Sequence, residues 1–230
     1  MTSPGTETAP GPDGPRRGRR MIALEGIPFV LATAAASVAV YFVWPKSIPL
    51  AVLGLLLTAF FAWFFRDPDR VTPDEPGTVI SPADGRVVFC GECPPGRYNA
   101  EPGKKVSIFM SVFDVHVNRA PVSGKVIAVR YNPGTFFAAD ADKASLLNEQ
   151  NGVSLETSGG HTVSYVQIAG LIARRIVCYL SEEDNVRQGQ RVGMIRFGSR
   201  VDVILPASAV LRVRMGDRVR SGESVLGVLQ

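Results

Sequence analysis

Residues 186–193 read Val186-Arg187-Gln188-Gly189-Gln190-Arg191-Val192-Gly193, and residues 219–226 read Val219-Arg220-Ser221-Gly222-Glu223-Ser224-Val225-Leu226. When the two stretches are aligned, each is a turn that contains a glycine and leads into a short valine strand. Hairpin repeats of this kind build small β sandwiches or barrels with pseudo-twofold symmetry. The repeat therefore predicts a β architecture with an internal duplication.

The sequence around this repeat, from residue 66 to residue 230, also consists of short apolar runs separated by Gly, Pro and Asp turns. The best helix candidate in it is 141–150. We predict a mainly β domain with few helices, a sandwich or barrel like those of lipoyl and biotinyl carrier domains. A carrier function is not expected, because no lysine stands at the hairpin tip. The strand candidates are 86–90, 106–113, 125–131, 162–168, 175–180, 192–197 and 201–205.

Two apolar segments precede this domain, at 26–45 and 47–65, and Lys46 is the only charge between them. Each is long enough to cross a bilayer, which takes about 20 helical residues. Arginines before the first segment and after the second favour a hairpin with both ends in the cytoplasm. We therefore predict a membrane anchor at 21–65 and a catalytic domain that faces the cytoplasm from the inner membrane. The alternatives are a cleaved signal peptide and a pair of buried helices in a soluble fold.

Composition excludes several other classes of protein. Residues 1–20 contain almost nothing to bury and predict a disordered basic tail. The net charge of +4 is concentrated before the anchor, so no basic face for nucleic acid is expected. Three cysteines fit a reducing compartment better than a disulfide framework, and no metal site is expected.

Ser199 occupies an unusual position in the strand pattern. Between residues 192 and 205 the other odd-numbered positions from 195 onward are apolar, whereas arginine and aspartate occupy even-numbered ones. Strand alternation therefore predicts that Ser199 is buried. It is either a small residue at a glycine bulge or a hydroxyl kept from water beside Gly198, where it can attack the preceding carbonyl.

His116 and Asp84 are the other candidates for chemistry. An uninterrupted strand after residue 106 would present Asp114, His116 and Asn118 on one face. Histidine is well suited to carry protons near neutral pH, although a lone histidine is more often structural. Asp84 lies in an Asp-Gly turn, so a simple turn residue is the plain alternative for it.

Several clusters together resemble the short bacterial phosphatidylserine decarboxylases. Any one of them is unspecific, but their order and spacing run through the domain from residue 66 onward. The clusters are Arg66-Asp67-Pro68-Asp69-Arg70, Ser81-Pro82-Ala83-Asp84-Gly85, residues 113–125, Tyr131-Asn132-Pro133-Gly134, Lys143-Ala144-Ser145 with Asn148-Glu149, and residues 193–202 with Phe197-Gly198-Ser199-Arg200.

This resemblance implies a proenzyme that cuts itself. Ser199 would attack the carbonyl of Gly198, giving chains 1–198 and 199–230 that stay together as a heteromer, and Ser199 would become a covalent pyruvoyl cofactor. A membrane phospholipid would bind through its serine amine as a Schiff base, lose carbon dioxide and leave phosphatidylethanolamine. His116, assisted by Asp84, would be the base, and Arg119 and Lys143 are candidates for holding the lipid phosphate.

The chain departs from longer members of that family in two places. They carry Leu-Gly-Ser-Thr at the cleavage site and a second histidine near the position of Arg119. Three alternatives remain open: a decarboxylase of a related lipid such as archaetidylserine, a membrane-tethered serine hydrolase, and a noncatalytic lipoyl-like adaptor. The oligomeric state, including a homo-oligomer, is open as well.

Overall fold

The computed structural model describes residues 21–43, 47–134, 148–170, 175–196 and 198–230. The predicted tail at 1–20 lies outside these ranges, as do Lys143 and most of the helix predicted at 141–150. The described end of that segment is not helical, since Gln150 begins a strand.

The described part of the chain is mainly β, with a short 3-10 turn and two α helices at its N-terminal end. The turn covers Leu24–Gly26, and the helices are α1 (Ile27–Val43) and α2 (Ile48–Phe64). The strands are β1 (Thr78–Ile80), β2 (Gly85–Cys93), β3 (Gly103–Met110), β4 (Val117–Arg119), β5 (Gly124–Asn132), β6 (Gln150–Glu156), β7 (Thr162–Ala169), β8 (Ile176–Cys178), β9 (Asn185–Val186), β10 (Arg191–Ile195), β11 (Ser199–Pro206), β12 (Val210–Leu211), β13 (Arg218–Val219) and β14 (Val225–Val228).

Every predicted strand has a counterpart among these, and the pairing is antiparallel throughout. One sheet has eight strands in the order β13-β2-β3-β11-β7-β6-β5-β9, and two three-stranded sheets have the orders β1-β14-β12 and β4-β10-β8. Strand β11 lies in the middle of the large sheet, between β3 and β7. The core is formed mainly by aliphatic side chains of the central strands, such as Val106, Ile108, Val153, Val201 and Val203.

The strand order has an internal twofold symmetry. One half consists of β1, β2, β3, β11, β12, β13 and β14, the other of β4 to β10, and both halves pair their strands in the same order. Hydrogen bonds between the halves show the same symmetry. Ile80 N donates to Pro121 O, and the equivalent Arg119 N donates to Pro82 O, both at 3.0 Å. The predicted duplication is therefore confirmed. The assignment to the lipoyl or biotinyl fold stays a prediction.

Helices α1 and α2 pack against each other in opposite directions. Phe29 near the start of α1 lies 5.5 Å, ring to ring, from Phe61 near the end of α2. Halfway along, a side chain at Gly54 would collide with Ser37, so the backbones approach closely there. The segment Leu24–Val43, with its 3-10 turn, is 20 residues long and apolar enough to cross a membrane, and α2 is a shorter apolar helix.

Candidate functional site

The ends of several strands meet at one edge of the domain. Ser199 begins β11 and pairs with Met110, the last residue of β3, and with Ala169, the last residue of β7. On the neighbouring sheet, Val117 at the start of β4 pairs with Met194 near the end of β10. The residue before Val117 is His116, whose ring contacts Phe64 at the end of α2. Met110, whose sulfur contacts both Ser199 and Asn118, therefore links the start of β11 to the strand that follows His116, and His116 in turn contacts the end of α2.

Ser199 is fully buried, as strand alternation predicts. Its hydroxyl donates a 3.4 Å hydrogen bond to the thioether sulfur of Met110, which is a weak acceptor. Gly198, immediately before it, has φ +64° and open space where a side chain would be. The bond between Gly198 and Ser199 thus follows a left-handed residue, and within the described ranges the hydroxyl next to it has only this weak hydrogen bond.

The opposite face of β11 is also buried, and its charges pair internally. The guanidinium of Arg200 donates to both carboxylate oxygens of Asp202, at 2.6 and 3.0 Å, and to the hydroxyl of Ser107 at 3.0 Å. Because an unpaired charge would be costly inside the sheet, this pair stabilises the arrangement of the strand that starts at Ser199.

His116 is buried and bonded at only one of its ring nitrogens. Nδ1 lies 2.9 Å from the backbone carbonyl oxygen of Asp114, which can only accept, so Nδ1 carries the proton. Nε2 has no hydrogen-bond partner within the described ranges and keeps its lone pair. Burial lowers the pKa of His116 to about 4. The imidazole is therefore neutral at physiological pH and able to accept a proton.

The strand predicted at 106–113 ends earlier than expected and does not continue through His116. Strand β3 ends at Met110, and a turn follows in which the carboxylate of Asp114 accepts hydrogen bonds from the backbone N and the hydroxyl of Ser111, at 2.8 and 2.7 Å. Aspartate competes with strand pairing in this way because its short side chain reaches nearby backbone donors. Strand β4 then begins after His116.

Asp84 lies close to the site but faces other partners. One carboxylate oxygen accepts from Arg70 at 2.9 Å and the other from the backbone N of Ser221 at 2.7 Å. Burial raises the pKa of Asp84, opposed by these two hydrogen-bonded partners. No hydrogen bond joins Asp84 to His116 within the described residues, so the backbone of Asp114 orients the imidazole instead.

A short relay nevertheless links Asp84 to the histidine's neighbour. The hydroxyl of Ser221, whose backbone N is held by Asp84, donates to the carbonyl of Val117 at 3.3 Å and to that of Pro82 at 3.1 Å. Asp84 therefore fixes a turn in the last part of the chain against the residue that follows His116.

Of the two residues predicted to hold phosphate, the structure describes only Arg119. The guanidinium of Arg119 is buried and donates to the carbonyls of Gly189 and Pro68 and to the carboxylate of Asp67 at 3.0, 2.9 and 3.4 Å. These partners favour a structural role. Lys143 lies outside the described residues.

A buried chain of amides beneath the site was missed by sequence reasoning. Gln167 donates to Asn118 at 2.9 Å and accepts from Asn151 at 3.2 Å, and Asn118 also contacts the sulfur of Met110 at 3.9 Å. The sequence feature that could have indicated this chain of amides is the single glutamine, Gln167, among the mainly apolar residues of β7. In the described part of the chain, no group of three or more His, Cys, Asp or Glu side chains could hold a metal ion.

Comparison with known proteins gives one consistent result. The family model described as phosphatidylserine decarboxylase matches residues 57–227. A phosphatidylserine decarboxylase proenzyme from Syntrophus aciditrophicus is 49% identical over 206 residues, which cover 90% of this chain and 96% of that protein. The corresponding proenzymes from Desulfotalea psychrophila and Citrifermentans bemidjiense are 46% and 48% identical, over 90% of this chain and 95% and 96% of theirs.

Proposed function

The chain belongs to the phosphatidylserine decarboxylase family and is a decarboxylating lyase, and from this premise we propose that it cuts itself between Gly198 and Ser199 and converts Ser199 into a pyruvoyl cofactor. Its reaction releases carbon dioxide from phosphatidylserine and leaves phosphatidylethanolamine. The observation that carries the proposal is a buried serine hydroxyl next to a left-handed glycine, and in the described part of the chain this hydroxyl is bonded only to a thioether.

Self-cleavage needs no group from outside the chain except water. The Ser199 oxygen attacks the carbonyl carbon of Gly198, the peptide C–N bond breaks, and an ester replaces it while the nitrogen gains a proton. Loss of the Cα proton then expels the Gly198 carboxylate and leaves a dehydroalanine. Water hydrolyses the tautomeric imine, ammonia departs, and a ketone remains at the new terminus.

His116 is the proposed base for the first step. Its ring is neutral, its tautomer is fixed, and its Nε2 has no hydrogen-bond partner among the described residues, so it is suited to take the hydroxyl proton of Ser199. The weak bond from Ser199 to Met110 supports this role, since little energy is lost when the hydroxyl turns away from the sulfur.

Asp84 is proposed as a positioning residue for this pair. Its bond to Ser221 and the bond from Ser221 to Val117 couple it to the backbone beside His116. It therefore assists the histidine without touching it.

The buried start of β11 fits a pyruvoyl group. The group would replace Ser199 in a water-free position between Met110 and Ala169. When present, it supplies a carbonyl that reacts with the serine amine of the lipid and accepts the electrons that carbon dioxide leaves behind.

The two product chains are proposed to stay together as a heteromer. Residues 199–230 contribute β11 to the middle of the large sheet, β13 to its edge, and β12 and β14 to the sheet with β1. Gel filtration in detergent is expected to elute both chains together, with separation only in denaturant; separate elution without denaturant would contradict this.

The helices α1 and α2 are proposed as a hairpin that anchors the enzyme in the inner membrane, with the catalytic domain in the cytoplasm. Large apolar side chains on both helices are exposed, among them Leu31, Phe42, Leu53 and Leu56, as expected of surfaces that face lipid. The contact of Phe64 with His116 supports a site that opens beside the membrane.

Release of labelled carbon dioxide from carboxyl-labelled phosphatidylserine tests the proposed function. The purified wild-type protein is expected to release it, and Ser199→Ala is expected to remain one chain and release none. Ser208→Ala, an exposed serine nine residues further along, is the matched control and is expected to behave as wild type. Wild-type release from uncut Ser199→Ala would contradict the proposal.

A further inference from the structure

Two arginines lie side by side at the edge of the domain where Ser199 and His116 are found. Arg175 precedes β8 and Arg196 follows β10, and these strands pair through Ile176 and Ile195. The backbone N of Arg196 donates to the carbonyl of Arg175 at 3.4 Å. The two guanidinium groups therefore start from adjacent points of the backbone.

Arg196 is half-buried against the anchor and has unused hydrogen-bonding capacity. Its guanidinium lies 5.4 Å from the ring centre of Phe29, near the start of α1, and its buried Nε has no hydrogen-bond partner in the described part of the chain. Burial lowers the pKa of Arg196, and the charge of Arg175 adds to that effect. Within the described ranges neither arginine forms an ion pair.

One carboxylate lies near this pair but does not neutralise it. Glu25 raises the pKa of Arg196 through its charge, and one of its oxygens accepts a 2.6 Å hydrogen bond from the hydroxyl of Tyr179. Among the described residues, two guanidiniums and one carboxylate leave a single positive charge, which matches the single negative charge of a phosphodiester.

We propose that Arg175 and Arg196 bind the phosphodiester of the lipid headgroup, an inference that rests on the decarboxylase function. The planar guanidinium matches the geometry of phosphate oxygens. Arg196 lies three residues before Ser199, so their Cα atoms are at most about 11 Å apart, a span that an arginine side chain and a phosphoserine headgroup can bridge.

The carboxylate of the substrate is a poorer candidate for this site. Decarboxylation removes the negative charge from that group, so a cation bound to it would stabilise the substrate more than the transition state. A cation on the phosphate keeps its interaction throughout the reaction and therefore serves binding.

The test uses the full-length enzyme and a short-chain phosphatidylserine kept below the concentration at which it aggregates. Arg175→Gln and Arg196→Gln are expected to cleave themselves completely, to raise KM roughly tenfold or more and to change kcat little, because each loses a charged hydrogen bond to the substrate. Arg196→Lys, which keeps the charge, is expected to recover part of the affinity. Arg212→Gln, an exposed arginine beside the β1-β14-β12 sheet, is the control and is expected to match wild type.

Soluble glycerophosphoethanolamine provides a second readout. It is expected to compete with the substrate in the wild-type enzyme and less in either glutamine variant. Unchanged KM and competition in fully cleaved variants would overturn the phosphate site and leave the decarboxylase function standing. A fall in kcat at unchanged KM, or failure of both variants to cleave, would also overturn it, because the arginines would then act in chemistry or processing.

Discussion

His116 combines a buried ring, a fixed tautomer and a free nitrogen, and each property has a local cause. Phe64 covers the ring, the carbonyl of Asp114 holds Nδ1, and no side chain within the described ranges reaches Nε2. A base of this kind stays neutral at pH values where an exposed histidine is already protonated.

The rate of self-cleavage should therefore have an unusual dependence on pH. Because the pKa of His116 is lowered to about 4, the neutral base is present above that value and is lost as the pH falls through it. Proenzyme made by cell-free translation should cleave at a constant rate from about pH 8 to pH 5 and at half that rate near pH 4.

His116→Gln is the control for that profile. It should slow cleavage by roughly a hundredfold or more, the usual contribution of a general base. A wild-type rate that falls by half near pH 6.5 would contradict the assigned environment of His116.

A substitution at Gly198 tests the role of the left-handed turn at the proposed scissile bond. Gly198→Ala meets no neighbouring atom, so its cost is that of the backbone conformation, about 1–2 kcal/mol, and should slow cleavage roughly tenfold. Gly160→Ala is a matched control, because Gly160 also has a positive φ and open space but lies in a distant hairpin. Equal cleavage rates in the two variants, measured by gel over time, would argue against a role for the turn.

At the scale of elements, the internal twofold relates Asp84 to Ser123. Asp84 accepts from the backbone N of Ser221, and Ser123 accepts from that of Gln188, the equivalent position of the repeat. Both side chains hold a glycine turn. The aspartate adds a charge, which pairs with Arg70, in the half of the domain that contains Ser199.

Substitutions at Asp84 should separate positioning from proton transfer. Asp84→Ala loses the bond to Ser221 and should slow cleavage about tenfold, whereas Asp84→Asn keeps an acceptor for it and should be less affected. Neither variant should shift the pH at which the cleavage rate falls to half, since His116 is not hydrogen-bonded to Asp84. A midpoint moved below pH 4 in Asp84→Asn, as expected when a carboxylate that favours the imidazolium is lost, would show direct coupling and contradict the relay through Ser221.

The helical pair is an element that can be tested by extraction. If α1 and α2 span the membrane, carbonate at high pH should leave the protein in the membrane fraction, because the exposed apolar surface is stable only in lipid. Release into the supernatant would contradict the proposed membrane anchor. It would favour two helices that only cover the edge of the domain.

Sequence patterns predicted the strands and the burial of Ser199 because both depend on local alternation. They missed the turn at Asp114 because a side-chain bond to Ser111 ended the strand early. The partners of Asp84 could not be predicted in the same way, since Ser221 lies 137 positions further along the chain and only the folded sheets bring it near. The duplication was visible in two short stretches, yet its extent over both halves required the strand order.

For the whole molecule, the proposed cleavage falls where the fold can tolerate it. The cut at Gly198 lies in a turn before β11, and every strand stays paired after it. The new chain end would lie at the start of β11, and with the proposed anchor a lipid headgroup would reach it from the membrane surface.

Denaturing mass spectrometry of the purified full-length protein shows whether the chain cuts itself before Ser199. Two chains are expected, a large one that ends at Gly198 and a small one of residues 199–230. The small chain should be lighter by one ammonia than a chain that begins with serine, because a ketone has replaced its amine. An intact chain that retains Ser199, or a small chain with a free serine amine, would contradict self-cleavage with formation of a pyruvoyl group.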